Sequence, residues 1–267
     1  MKSPGRILLQ VLALNLLTVL ALCGSAAAID DTEMVTVQAG YFWMGCNNNL
    51  DPDCYESEKP FHRVWLPEYE IDKYEVTFRR YKECMKNGPC KMPGIGGACN
   101  YGMDGVDQFP VNCVTWRQAR IFCDWDDKRL PTEAEWEKAA RGTTHRLYPW
   151  GNQTPSCNYA AMDNPNAGNL GCGTGTTLGV GSKPLGASPY GAEDMAGNLW
   201  EWTADWYGHY YYSYSTGYDP KGPLTGTYRV ARGGDIYARR PATMRTATRF
   251  PYAPQDYSIA VGFRCAR

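Results

Sequence analysis

The sequence predicts an irregular α+β domain of short elements stapled by disulfides, on three observations. Three helical segments each follow a threonine, and short alternating apolar runs flank them. Gly 28 and Pro 18 in 267 residues imply many turns, while aromatic side chains, 13% of the chain, supply the core that short elements lack. The third observation is 11 cysteines in a chain that opens with a leader-like segment.

The elements follow in order. Residues 34–45 alternate Val35, Val37, Phe42 and Met44, as a half-buried strand does. Thr77 caps a helix over 78–86 with Phe78, Tyr81 and Met85 on one face. Thr115 caps a second over 116–124, with Gln118 placed for a capping box. Pro131 and Thr132 open a third over 133–140; Glu135 completes another box and Gly142 ends the helix. Residues 143–193 read as polar loop anchored by Tyr148, Trp150 and Tyr159. Tyr207, Tyr210, Tyr211, Tyr212, Tyr214 and Tyr218 form a tyrosine-rich loop, either packed surface or a contact surface. No repeat or linker divides residues 29–267, which read as one domain.

The net charge of −1 gives no electrostatic case for nucleic acid or an anionic membrane. Lys2 and Arg6 precede an apolar run from Ile7 to Leu22, and Ala26 and Ala28 form a signal-peptidase site, so residues 1–28 read as a signal peptide and the protein as exported, periplasmic or extracellular. The run is too short and amide-broken for an integral span. Lipid anchoring at Cys23 is the alternative, although Leu22 departs from the small residue expected there. Leader removal leaves 11 − 1 = 10 cysteines, an even number suited to disulfides. Spacing pairs Cys46 with Cys54, Cys84 with Cys90, Cys99 with Cys113 and Cys157 with Cys172, and leaves Cys123 and Cys265 over.

The run Asp194-Met195-Ala196-Gly197-Asn198-Leu199-Trp200-Glu201-Trp202 carries the most chemistry. Gly197 permits a left-handed step, and carboxylates flank carbonyls in the manner of a hard-cation cradle. Other landmarks accompany it in order: Gly40-Tyr41-Phe42-Trp43-Met44-Gly45, Asp72-Lys73-Tyr74-Glu75-Val76-Thr77, Pro110-Val111-Asn112-Cys113-Val114-Thr115-Trp116, Leu130-Pro131-Thr132-Glu133-Ala134-Glu135-Trp136, Arg229-Val230-Ala231-Arg232-Gly233-Gly234 and Gly262-Phe263-Arg264-Cys265. Together they resemble the formylglycine-generating enzyme, or sulfatase-modifying factor, family over about residues 34–267. The resemblance implies a modified C-type-lectin fold. It also implies a calcium site at Asp194, Gly197, Leu199 and Glu201, and a bridge from Cys123 to Cys265. A second calcium site would begin at Asn158 and Tyr159, but its acidic position falls in Gly173-Thr174-Gly175; Asp163 is the nearest substitute.

The family's oxidation chemistry uses two cysteines shortly after the Gly-Gly pair, as copper(I) thiolates. Here those positions are Ala238 and Thr243, so the sequence argues against copper and against formylglycine formation. Near them, Trp200 matches a family active-site tryptophan and Asp235 replaces a serine. With Tyr237, Arg239, Arg240 and Arg245 they outline a candidate ligand groove; Arg249 lies close in sequence. His62, His145 and His209 share no metal motif. The resulting expectation is a calcium-supported binding or accessory domain for an unknown peptide, protein or small ligand. The alternative is an enzyme of different, possibly oxidative, chemistry on this fold, as in periplasmic relatives of siderophore maturation, with Asp235, Tyr237 or Glu193 as acid or base. N-terminal sequencing of the exported protein should begin at Ile29; a start at a lipidated Cys23 would overturn the leader assignment.

Overall fold

A computed structural model describes residues 29–164, 166 and 169–267. The leader and Cys23 lie outside the described residues. Eight strands and three α-helices appear among them. Strands β1 (Met34–Val37) and β2 (Gly40–Met44) replace the single strand expected over 34–45. The chain turns at residues 38–39, and the two halves join different sheets. β1 pairs antiparallel with β4 (Tyr69–Asp72), and β2 with β3 (His62–Leu66). The alternation survives the break, since Val35, Val37, Phe42 and Met44 are all buried.

The helices start where their caps dictate. α1 (Phe78–Asn87), α2 (Trp116–Trp125) and α3 (Glu133–Arg141) follow Thr77, Thr115 and Thr132, each of which accepts a first-turn N–H. Both expected capping boxes form, and Gly142 ends α3 at φ 72°.

A four-stranded sheet runs β7-β6-β5-β8, built from β5 (Trp200–Trp206), β6 (Arg229–Arg232), β7 (Phe250–Tyr252) and β8 (Val261–Gly262). β5 and β8 are parallel, the other pairs antiparallel. β5 lies between two cores. Trp202 packs with Tyr81, Phe122 and Phe263 beside α1 and α2. Glu201 accepts the Trp136 indole N–H of α3, 2.8 Å away, in the core that α3 shares with β1–β4.

α3 is enclosed along its whole length despite its charged composition. Every residue from Glu133 to Arg141 is buried. Each charge meets a partner: Glu133 takes two bonds from Arg249, at 2.6 and 2.7 Å. Glu135 takes two from Arg129, at 2.6 and 2.7 Å. Glu137 meets Arg232 and the Gly45 N–H. Lys138 donates to the Gln38 and Gly40 carbonyls, and Arg141 to those of Trp43 and Gly45.

All five expected disulfides form: Cys46–Cys54, Cys84–Cys90, Cys99–Cys113, Cys157–Cys172 and Cys123–Cys265. The last spans a sequence separation of 142 and ties α2 to the segment after β8. Replacing both of its cysteines by alanine should lower unfolding stability by about 4 kcal/mol through the denatured state. A denaturant midpoint unchanged from wild type would contradict this.

Candidate functional site

Two neighbouring stretches hold the expected site residues. The first is the loop entering β5. Asp194, Gly197 and Asn198 all have positive φ, at 57°, 79° and 61°. Gly197 is obligatory, because a Cβ there would lie 2.3 Å from the Ala161 carbonyl oxygen. The coiled loop gathers three buried carboxylates, Glu75, Asp194 and Glu201. Arg264 grips Glu201 side-on, Nε to Oε2 at 2.7 Å and Nη2 to Oε1 at 2.8 Å. Asp194 accepts the Gly181 N–H at 2.7 Å. Glu75 accepts from the Asn198 side chain at 2.6 Å, while its Oε1 has no partner. Burial, with Asp194 and Glu201 adding repulsion, raises the Glu75 carboxyl well above its ordinary range. Burial also pushes Asp194 up to about 6.

Sequence reasoning did not place Glu75 here. Its signal was an acid set between Tyr74 and Val76, immediately before a helix cap, inside one of the ordered landmarks. By charge this set would suit a calcium ion, since three carboxylates share one guanidinium and one buried oxygen is orphaned, although the three carboxylates do not converge within 4.8 Å of one another. Asp194, Glu201 and the carbonyls of Gly197 and Leu199 would hold it, with Glu201 shared with Arg264.

The second expected calcium position looks different. Tyr159 stacks on Trp150 with ring centroids 5.1 Å apart. Asp163 is engaged by Arg239 at 2.5 Å.

The second stretch follows β6. Ala238, at the first position where the resemblance leads one to expect a thiolate, is buried among Tyr148, Ala160, Met162, Ala196 and Met244. Thr243, at the second, donates its hydroxyl to the Arg240 carbonyl at 2.8 Å. Among the described residues all ten cysteines are in disulfides, so none offers a thiol. Trp200 is buried against Phe250, ring centroids 5.2 Å apart. Asp235 lies beside it: burial raises its carboxyl to about 6, against the pull of the Tyr237 N–H and a hydrogen bond from the Trp200 side chain. Tyr237 is exposed.

The arginines do not form one cluster. Arg239 pairs with Asp163. Arg240 lines a separate cleft of about 510 Å³ with Pro52, Asp53, Cys54 and Tyr55. Arg245 is a correction to the groove. It is buried, and its guanidinium is spent on Asp51 and Glu58 at 2.8–2.9 Å and on the Asp53 carbonyl at 2.9 Å. Arg249 is likewise consumed by Glu133. A guanidinium with this many donors satisfied inside the core holds the scaffold together and has none left for a ligand.

The histidines stay apart. His62 bonds the Pro60 carbonyl, His145 packs on Phe61 and His209 on Tyr210.

An irregular mixed fold, a loop of coiled carboxylates before a central strand, and a Gly-Gly turn after its neighbour define a sulfatase-modifying-factor type of domain. The chain belongs to that family: the model of the sulfatase-modifying factor enzyme 1-like domain matches residues 21–267. It is 32% identical over 286 residues to the formylglycine-generating enzyme of Mus musculus, covering 88% of this chain and 75% of that protein. It is 32% identical over 268 residues to the hercynine oxygenase of Mycolicibacterium smegmatis, covering 87% and 60%. Serine/threonine-protein kinase pkn1 of Chlamydia caviae is 34% identical over 255 residues, which are 88% of this chain but only 38% of that protein. Among solved structures, PvdO from Pseudomonas aeruginosa superposes with TM-score 0.71 at 25% identity, covering 88% of this chain and 93% of that one. Five disulfides are compatible with an exported protein, and no helix among the described residues is long and apolar enough to cross a membrane.

Asp235 gives a pH signature. Its folded value of about 6 exceeds the ordinary 3.8, so the native state keeps a proton that the unfolded chain releases. Stability from this group is therefore lost as pH rises from about 4 through 6. Asp235→Asn should flatten that part of the melting-temperature profile; parallel profiles would refute it.

Proposed function

We propose that this chain is a calcium-supported binding or accessory domain of its family, and that it does not perform copper-dependent formylglycine formation. The observation that carries the reading is the pair Ala238 and Thr243. One is a methyl packed in a core, the other a hydroxyl bonded to backbone, and neither offers a thiolate to a soft metal. The segment beside them carries Asp235 next to Trp200 and the exposed Tyr237 and Arg239, with Arg240 on a separate cleft. That set suits a peptide or small ligand with both polar and aromatic parts. Calcium would act structurally, by balancing Glu75, Asp194 and Glu201 and fixing the loop before β5.

The second reading is an enzyme of different chemistry on the same surface. The specific observation in its favour is Asp235, a carboxyl held near 6 beside Trp200 and Tyr237, in the range where an acid or base exchanges protons. The kinship with an oxygenase is consistent with it.

Chelating calcium should lower the melting temperature by roughly 5 °C, and Asp194→Ala should remove the response; a wild-type melt indifferent to both chelator and added calcium would end the calcium proposal. Sulfatase-derived cysteine peptides, with or without copper, should yield no aldehyde, and aldehyde formation would sink the central reading. A ligand screen comparing wild type with Trp200→Ala plus Arg240→Ala should lose hits in the double variant. Turnover abolished by Asp235→Asn would favour the enzymatic reading.

A further inference from the structure

β2 carries two exposed aromatic side chains on its outer face. Phe42 and Met44 are buried in the core, so the alternation turns Tyr41 and Trp43 outward, 50% and 37% exposed. Pairing with β3 sets Trp65 opposite Tyr41 and Arg63 opposite Trp43. The strand that presents both rings is fixed in place. The carbonyls of Gln38, Gly40, Trp43 and Gly45, along β2 and at its ends, accept from Lys138 and Arg141 of the buried helix α3 at 2.7–3.1 Å.

The neighbours of these rings leave one position open. Trp65 is taken by Tyr218 of the tyrosine-rich loop, stacked with ring centroids 4.6 Å apart. Trp43 stacks on Phe61 at 5.0 Å. The Arg63 guanidinium carbon lies 3.8 Å from the Tyr41 ring centroid. A cavity of about 220 Å³ borders both of the last two pairs, lined by Tyr41, Phe42, Trp43, Arg63 and Thr143. Arg63 and Thr143 are exposed. Among the described residues neither side chain makes a hydrogen bond, and Arg63 forms no ion pair. Arg245, Arg249 and Arg264 are buried with their forks on the protein's own carboxylates. Arg63 stands on the surface beside a cavity with its fork unused.

We propose that this cavity binds a small aromatic carboxylate, whose ring packs against Tyr41 and Trp43 and whose carboxylate meets the donors of Arg63. Three of its five lining residues are aromatic, so the apolar part of the occupant is best matched by another ring, stacked or edge-on. The one cation at the site, unpaired among the described residues, selects an anion. Its planar fork, laid on the Tyr41 ring, has little freedom left to lose and suits a planar carboxylate. The Thr143 hydroxyl at the rim is left for a polar substituent on the ring.

Calorimetric titration of the full chain tests this, with 2-naphthoate, its uncharged amide and the sugar acid glucuronate as probes. Naphthoate should bind with a dissociation constant of about 1 mM or tighter. The amide, which lacks the charge, and glucuronate, which lacks the aromatic ring, should each bind at least about five-fold more weakly. Arg63→Gln, at an exposed position, should weaken naphthoate about five-fold and leave the amide unchanged. Should that variant fail to fold, Trp43→Leu places the site, weakening naphthoate and amide alike by about three-fold. Binding should persist in the Trp200→Ala plus Arg240→Ala protein, which separates this site from the groove proposed above. No naphthoate binding, equal binding of the amide or of glucuronate, loss of binding in the groove variant, or wild-type affinity in a folded Arg63→Gln protein would overturn the assignment.

Discussion

Arg232 is the contact on which the rest of the structure depends. It is fully buried and reaches Glu137 on α3 through one arm. Its two Nη groups also donate to three successive carbonyls, Thr246 at 2.9 Å, Ala247 at 2.8 Å and Thr248 at 2.6 Å, while Nε lies 3.8 Å from Glu133 with no hydrogen-bond partner. One side chain thus joins the sheet, the polar central helix and the segment that follows the groove. Arg249 extends the network to Glu133, and Arg141 closes it on Glu137 at 3.3 Å. Buried charge of this kind is destabilising unless every member is paired, and removal of one partner typically costs 3–5 kcal/mol. The core of this domain is consequently electrostatic as much as apolar, and its charges cannot be traded one at a time.

That network explains what was legible in the sequence and what was not. Helix starts were legible because Thr77, Thr115 and Thr132 act within three residues of themselves. Four disulfides were legible because their partners lie close along the chain. The break between β1 and β2 was not, because the apolar alternation continues through the turn and only the pairing partners differ. The burial of α3 was not legible either. Its sequence, Glu-Ala-Glu-Trp-Glu-Lys-Ala-Ala-Arg, becomes core only through arginines 95 and 116 positions away. The same long-range matching removed Arg245 and Arg249 from the groove. An arginine in sequence carries no mark of whether its carboxylate is a ligand's or the protein's own.

At the candidate site the family scaffold is present, while the positions where the resemblance leads one to expect thiolates carry Ala238 and Thr243. Ala238 fills a core position and Thr243 satisfies its hydroxyl on the backbone, so neither position leaves a hole. The calcium-type loop, the Gly-Gly turn and the tryptophan wall are retained around them. A fold that keeps its walls after exchanging its nucleophiles can carry a different ligand or a different reaction on the same frame. On the proposed reading, the half-buried Asp235, where the resemblance leads one to expect a serine, is the residue most able to redirect that chemistry.

Residues 261–266 have a consequence for how the chain acquires its shape. Phe263 and Cys265 carbonyls accept from Val76 and Asp72, Ala266 exchanges both backbone bonds with Arg129, and Arg264 reaches Asp72, Lys73, Glu193 and Glu201. Segments far apart in sequence are therefore joined through residues 261–266. Pairings of such high sequence separation are the topology associated with slow folding.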